Sequence, residues 1–171
     1  MKRIILVIAH EGFQPIEYSE PKRILEESGV EVVTASDRAG VARSSNNAIE
    51  VSVNVEIQNI KVEDYDGVCF VGGGGAETYL DNEKSYKLAK DFVSAGKLCG
   101  AICYSPRILA HAGVLKGKKA TGWDGDDELS GIFASVGAEY IKEPVVRDGN
   151  IITANGPSSA EDWGRKIVEA L

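Results

Sequence analysis

The stretch 98–107, Leu-Cys-Gly-Ala-Ile-Cys-Tyr-Ser-Pro-Arg, constrains this chain more than any other, because an apolar run stops at Cys103 and a helical pattern starts at Pro106. A buried strand that hands over to a helix so quickly needs a sharp turn. Ala101 and Ser105, two residues either side of the cysteine, are small enough to permit it. Proline suits the first turn of the helix that follows. A thiol at such a point feels the positive end of the helix dipole, which favours thiolate and with it nucleophilicity or oxidation. Cys103 is therefore the candidate nucleophile. Cys69 and Cys99 lie inside apolar runs and read as small buried hydrophobes.

The rest of the chain supplies a frame for that turn. Residues 3–9 form a continuous apolar run, as expected of a strand buried on both faces of a parallel sheet. A helical pattern begins at Pro15, with Ile16, Ile24 and Leu25 on one side and Glu26 and Glu27 on the other, and closes at Ser28-Gly29. Pro21 inside it predicts a kink or a late start. Residues 30–35 give a second strand, and the alternation over 47–60 predicts a short hairpin or extended excursion outside the main sheet. A strand at 68–71 runs into glycines 72–75, which let the backbone approach closely and turn its N–H groups inward, as an anion cradle or oxyanion hole requires.

Helices are predicted over 82–96, 127–136 and 160–171, a short strand within 114–121, and closing strands at 140–142, 145–146 and 151–153 with a turn at Asp148-Gly149. Strands alternating with helices throughout predict a single α/β domain over 1–171, a doubly wound and mostly parallel sheet with helices on both faces.

Composition removes several functions. A net charge of −7 gives no basic surface for nucleic acid or an anionic membrane, and no apolar run approaches the ~20 residues of a membrane span. Three cysteines in apolar stretches predict no disulfide framework and a reducing, cytoplasmic setting. The glycine run lacks the spacing of a dinucleotide or phosphate loop, and Asp124, Asp126, Asp127 and Glu128 lack that of a calcium loop, so no cofactor and no metal is expected.

Ala-Ile-Cys-x-x-Pro at 101–106, the glycine turn after the third strand, Gly-Val-Leu-Lys-Gly-Lys-Lys at 113–119 and Thr-Ala-Asn-Gly-Pro before the last helix together resemble the ThiJ/PfpI superfamily over almost the whole chain. The resemblance implies a flavodoxin-like fold with the cysteine at a nucleophile elbow. It implies that Glu17 hydrogen-bonds Cys103, that the backbone N–H groups of Gly73 and Tyr104 are oxyanion donors, and that Glu77 matches an acidic residue that orients a catalytic histidine in one branch. Here the residue after the cysteine, a histidine in that branch, is Tyr104, and another branch's histidine falls near Gly122. Only His10 and His111 are present. His10 ends the first strand, on the sheet edge where α/β sites form, and is a candidate to approach Cys103. His111 is expected to be a packed helix residue.

The expected function is an enzyme in which Cys103 attacks a small reactive carbonyl compound or its adduct while Glu17 moves the proton, as in glyoxalase or deglycase chemistry. A peptidase acting on peptides is the alternative. A non-enzymatic redox sensor or chaperone working through oxidation of Cys103 is the third. The resemblance also implies a homodimer or larger homo-oligomer.

Overall fold

A computed structural model describes residues 1–171. β1 (Arg3–Ile8) leads through a short β2 (Glu11–Phe13) into α1 (Pro15–Glu27). Then come β3 (Glu31–Ser36), β4 (Val41–Ser44), β5 (Glu50–Ser52) and β6 (Val55–Glu56). β7 (Gly67–Phe70) runs into the glycines and a five-residue π-turn, Ala76–Leu80, ahead of α2 (Glu83–Ser94). β8 (Leu98–Ile102) stops at Cys103 and gives way to α3 (Pro106–His111). The chain closes with β9 (Lys119–Ala120), α4 (Leu129–Ser135), β10 (Glu139–Tyr140), β11 (Val145–Asp148), β12 (Ile151–Ala154) and α5 (Ala160–Ala170).

The main sheet has the order β11-β12-β8-β7-β1-β3-β6, parallel throughout except for the β11–β12 hairpin. Its five central strands follow the flavodoxin-like order, in which the chain reverses its winding direction between β1 and β7. Ligand sites of open α/β sheets form at the carboxyl ends of strands beside such a switch. The glycines end β7 and Cys103 ends β8, so both lie on that edge.

Strand alternation sends successive side chains of β1 to opposite faces, and both faces are covered. Ile4, Leu6 and Ile8 pack with Leu25 of α1 and Trp163 of α5, whereas Ile5 and Val7 belong to the core with Phe92 of α2, Leu109 of α3 and Phe133 of α4. This explains the continuous apolar runs: strands with no wet face have no polar positions to alternate. No helix is long and apolar enough to cross a membrane.

Two local expectations are corrected. Pro21 does not delay the helix, since α1 starts at Pro15 and is continuous through it. The proline is buried against α5, where a Cβ on Gly164 would lie only 3.0 Å from the Pro21 Cα, so close packing of two helices offsets the hydrogen bond that proline cannot donate. The excursion is divided as well. β5 pairs with β4 in a separate three-stranded sheet with β2, as predicted, but Val55 and Glu56 return to the main sheet as its edge strand beside β3.

Candidate active site

Cys103 takes a left-handed backbone conformation, φ +62°, rare for a residue with a side chain and the geometry of a strand-to-helix elbow. Its neighbours hold it there. The Cys103 N–H donates to the Ala154 carbonyl (2.9 Å), its own carbonyl accepts from the Trp123 N–H (2.8 Å), and the Ser105 hydroxyl donates to the Val71 carbonyl at the end of β7 (2.8 Å).

Glu17 sits in the first turn of α1, which Gln14 caps by accepting the Glu17 N–H (2.9 Å). A glutamate there reads as solvated, yet this one is fully buried. Its Oε2 accepts the Gly72 N–H at 3.0 Å, and the other group it meets is the Cys103 thiol. Burial pushes the Glu17 carboxyl up to about 7, against the opposing pull of its hydrogen bonds with Cys103 and Gly72. Gly72 leaves the space the pair needs: a Cβ there would stand 2.6 Å from both the Cys103 Cβ and the Glu17 Oε2.

The expectation of a ready thiolate is corrected in part. Burial raises the Cys103 thiol, the Glu17 charge and hydrogen bond raise it further, and the N–H groups of Gly73 and Tyr104 pull it down without cancelling the rise. The helix it precedes has only six residues, so little dipole acts on it. Cysteine and glutamate therefore resist carrying two negative charges at once, and the thiol keeps its proton near neutrality.

Gly73, at φ +104°, packs so tightly that a Cβ would lie 2.6 Å from both the Gln14 nitrogen and the Gly12 oxygen. That close approach leaves its N–H facing the sulfur, as does the N–H of Tyr104. The Tyr104 phenol points elsewhere. It donates to Asp81 Oδ2 (2.8 Å), and burial followed by that hydrogen bond raises its pKa, so it stays protonated. Beside it, Arg107 is almost wholly buried, with its guanidinium 5.4 Å from the Tyr104 ring and 5.3 Å from the Trp123 ring. Arg107 is committed to a two-pronged pair with Asp126 (2.9 and 2.6 Å).

The remaining candidates fall elsewhere. Glu77 is exposed on the π-turn, close enough for its charge to act on Tyr104 but not hydrogen-bonded to it. The carboxylate that holds residue 104 is Asp81, which sequence reasoning missed. His10 is not joined to Cys103: its ring lies 3.4 Å from the Glu11 carboxylate and beside Gly40, and its N–H donates to Asp37 (2.7 Å). His111 is not a packed helix residue either, for its ring is exposed and its Nδ1 lies 2.9 and 3.0 Å from the Asp81 oxygens. No three His, Cys, Asp or Glu side chains gather to hold a metal ion.

Comparison with known proteins agrees with this architecture. The sequence model of the DJ-1/PfpI family matches residues 2–170. An uncharacterised protein of Methanocaldococcus jannaschii is 36% identical over 172 residues, covering 99% of this chain and 82% of that protein. The deglycase PfpI of Pyrococcus furiosus is 32% identical over 169 residues, 98% of either chain. Among solved structures, a ThiJ/PfpI domain protein from Brachyspira murdochii superposes with a TM-score of 0.92 at 30% identity, covering 98% of this chain and 95% of that one.

Proposed function

The chain belongs to the DJ-1/PfpI family, and from that premise we propose that it is a cysteine-dependent enzyme acting on small reactive carbonyl compounds or their adducts. The observation that carries this reading is the buried Glu17 carboxyl against the Cys103 thiol at a left-handed elbow. In the reaction the sulfur forms a bond to the carbonyl carbon while the C=O π pair moves to oxygen. The thiol proton passes to Glu17 and from it to the new alkoxide, giving a hemithioacetal. A carboxyl poised near 7 both takes and returns a proton at neutral pH. The N–H groups of Gly73 and Tyr104 stabilise first the sulfur and then the oxygen that develops beside it. Relatives named deglycase support the substrate class.

Peptidase chemistry has less support. The residue after the cysteine is a phenol committed to Asp81, and neither histidine meets the thiol. The test is consumption of methylglyoxal by the wild type, Cys103→Ser and Glu17→Gln. The expected result is turnover in the wild type, none in Cys103→Ser and a loss of about 10²-fold or more in Glu17→Gln. Wild-type turnover no greater than that of Cys103→Ser would overturn the carbonyl-enzyme reading.

A further inference from the structure

Two backbone N–H groups face the Cys103 sulfur, and they come from different parts of the chain, Gly73 from the loop after β7 and Tyr104 from the elbow after β8. The Ser105 hydroxyl on the Val71 carbonyl is one link between those parts. We propose that Asp81 is a positioning residue of the site, clamping the turn that follows Gly73 to the elbow that carries the Tyr104 N–H.

The connection runs through a short set of hydrogen bonds. On the Gly73 side, the Ala76 N–H donates to the Gly73 carbonyl (3.0 Å) and the Asp81 N–H donates to the Ala76 carbonyl (3.1 Å), so two successive bonded turns that share Ala76 link Gly73 to Asp81. The second of them is the π-turn, an arrangement rare in general and frequent at functional sites. On the elbow side, the Tyr104 phenol donates to Asp81 Oδ2 at 2.8 Å. Two further donors fix the carboxylate: the Tyr86 hydroxyl from α2 (2.5 Å) and His111 Nδ1 from the end of α3 (2.9 Å). The Tyr86 and His111 rings meet edge to face at 6.1 Å, which orients both donors.

A carboxylate is the group this junction requires. Three donors converge on one side chain that is only 10% exposed, and Asp81 alone among them is purely an acceptor. No lysine or arginine reaches it, and His111 is its one ion-pair partner. Burial pushes its carboxyl up, but the hydrogen bonds from Tyr86, His111 and Tyr104 hold it below the usual carboxylate range, so it remains an acceptor. An asparagine in its place would turn an NH₂ toward at least one of the three donors.

The clamp concerns the thiol itself and depends on Cys103 being the reactive group, not on any carbonyl substrate. Its test is therefore the rate of iodoacetamide alkylation of Cys103 against pH, in Asp81→Asn, Tyr104→Phe, His111→Gln and the double variant Asp81→Asn/Tyr104→Phe. A hydrogen bond to a charged group corresponds to about a tenfold or larger change in thiolate population, so alkylation of Asp81→Asn between about pH 7 and pH 9 is expected to be roughly tenfold slower than in the wild type. Tyr104→Phe should slow it in the same direction and add little in the Asp81→Asn background. His111→Gln should have a smaller effect. A folded Asp81→Asn protein with the wild-type profile would overturn the clamp, and so would fully additive effects in the double variant. If Asp81→Asn does not fold, Tyr104→Phe decides, and an unchanged alkylation rate refutes the proposal.

Discussion

Replacing Glu17 by glutamine should make the protein more stable at alkaline pH than the wild type, although it removes a residue assigned to the chemistry. The carboxyl lies near 7 when folded against an ordinary 4.5. Between those values the folded chain keeps a proton that the unfolded chain has released, so stability falls as pH rises through that window and levels off above it. The full difference corresponds to about 3 kcal/mol, most of which is lost between pH 5 and pH 8. Glutamine has the same shape and no such titration. Urea unfolding of both proteins at pH 5 and pH 8 isolates the effect as a difference of differences, in which other titrating groups cancel. With typical urea dependences, the wild-type midpoint should fall relative to the variant by about 1–2 M over that range. If the two proteins lose stability in parallel, Glu17 is an ordinary ionised carboxylate. It then has no proton to relay near neutrality, and the proposed chemistry fails with it.

The glycines after β7 should differ sharply in tolerance. Gly72→Ala forces a methyl between thiol and carboxyl and should cost about 1–3 kcal/mol, whereas Gly74→Ala enters open space and should leave the melting temperature nearly unchanged. Cys103 should be the thiol that iodoacetamide modifies first, with Cys69 and Cys99 labelled only on unfolding, since burial raises both; peptide mapping against denaturant decides it. Asp126→Ala leaves the buried Arg107 guanidinium without its carboxylate and should lower the urea unfolding midpoint. Tyr104→His puts a base beside the thiol, with Asp81, the carboxylate that holds residue 104, nearby to orient it. Methylglyoxal turnover should rise within the 10²–10⁴-fold range of general acid–base catalysis, and no gain with intact alkylation would show that a missing base is not the limit.

The elements that could be read from the residues are those set by local periodicity. The uninterrupted apolar runs of β1, β7 and β8 are buried on both faces because helices cover both, and the elbow at Cys103 follows from the abrupt change of pattern there. What could not be read depends on distance along the chain. The burial of Glu17 arises because α1 brings its first turn against Gly72, 55 residues away, and only the family resemblance singled that glutamate out. Asp81 carries no local signal at all: just ahead of the Asn82 cap of α2 it reads as part of a helix start, and its partners Tyr104 and His111 lie 23 and 30 residues on. His111 is hidden for the same reason, since a histidine on an apolar helix reads as packed until the acid it faces is known.

Tyrosine at position 104 then has a consequence for how protons move. A histidine beside the thiol would accept a proton at neutral pH, whereas a phenol raised by burial and bound to a carboxylate neither gives one up nor receives one. Its side chain serves the backbone instead, by anchoring the elbow to the π-turn through Asp81. In the proposed reaction, proton transfer therefore falls to the one titratable side chain that meets the sulfur, Glu17, and its burial is what brings that carboxyl into a useful range. The same burial that weakens the folded state above neutral pH equips it for chemistry there. A substitution that relieves the strain at Glu17 should thus gain stability and lose turnover together, which sets it apart from one that merely damages the fold.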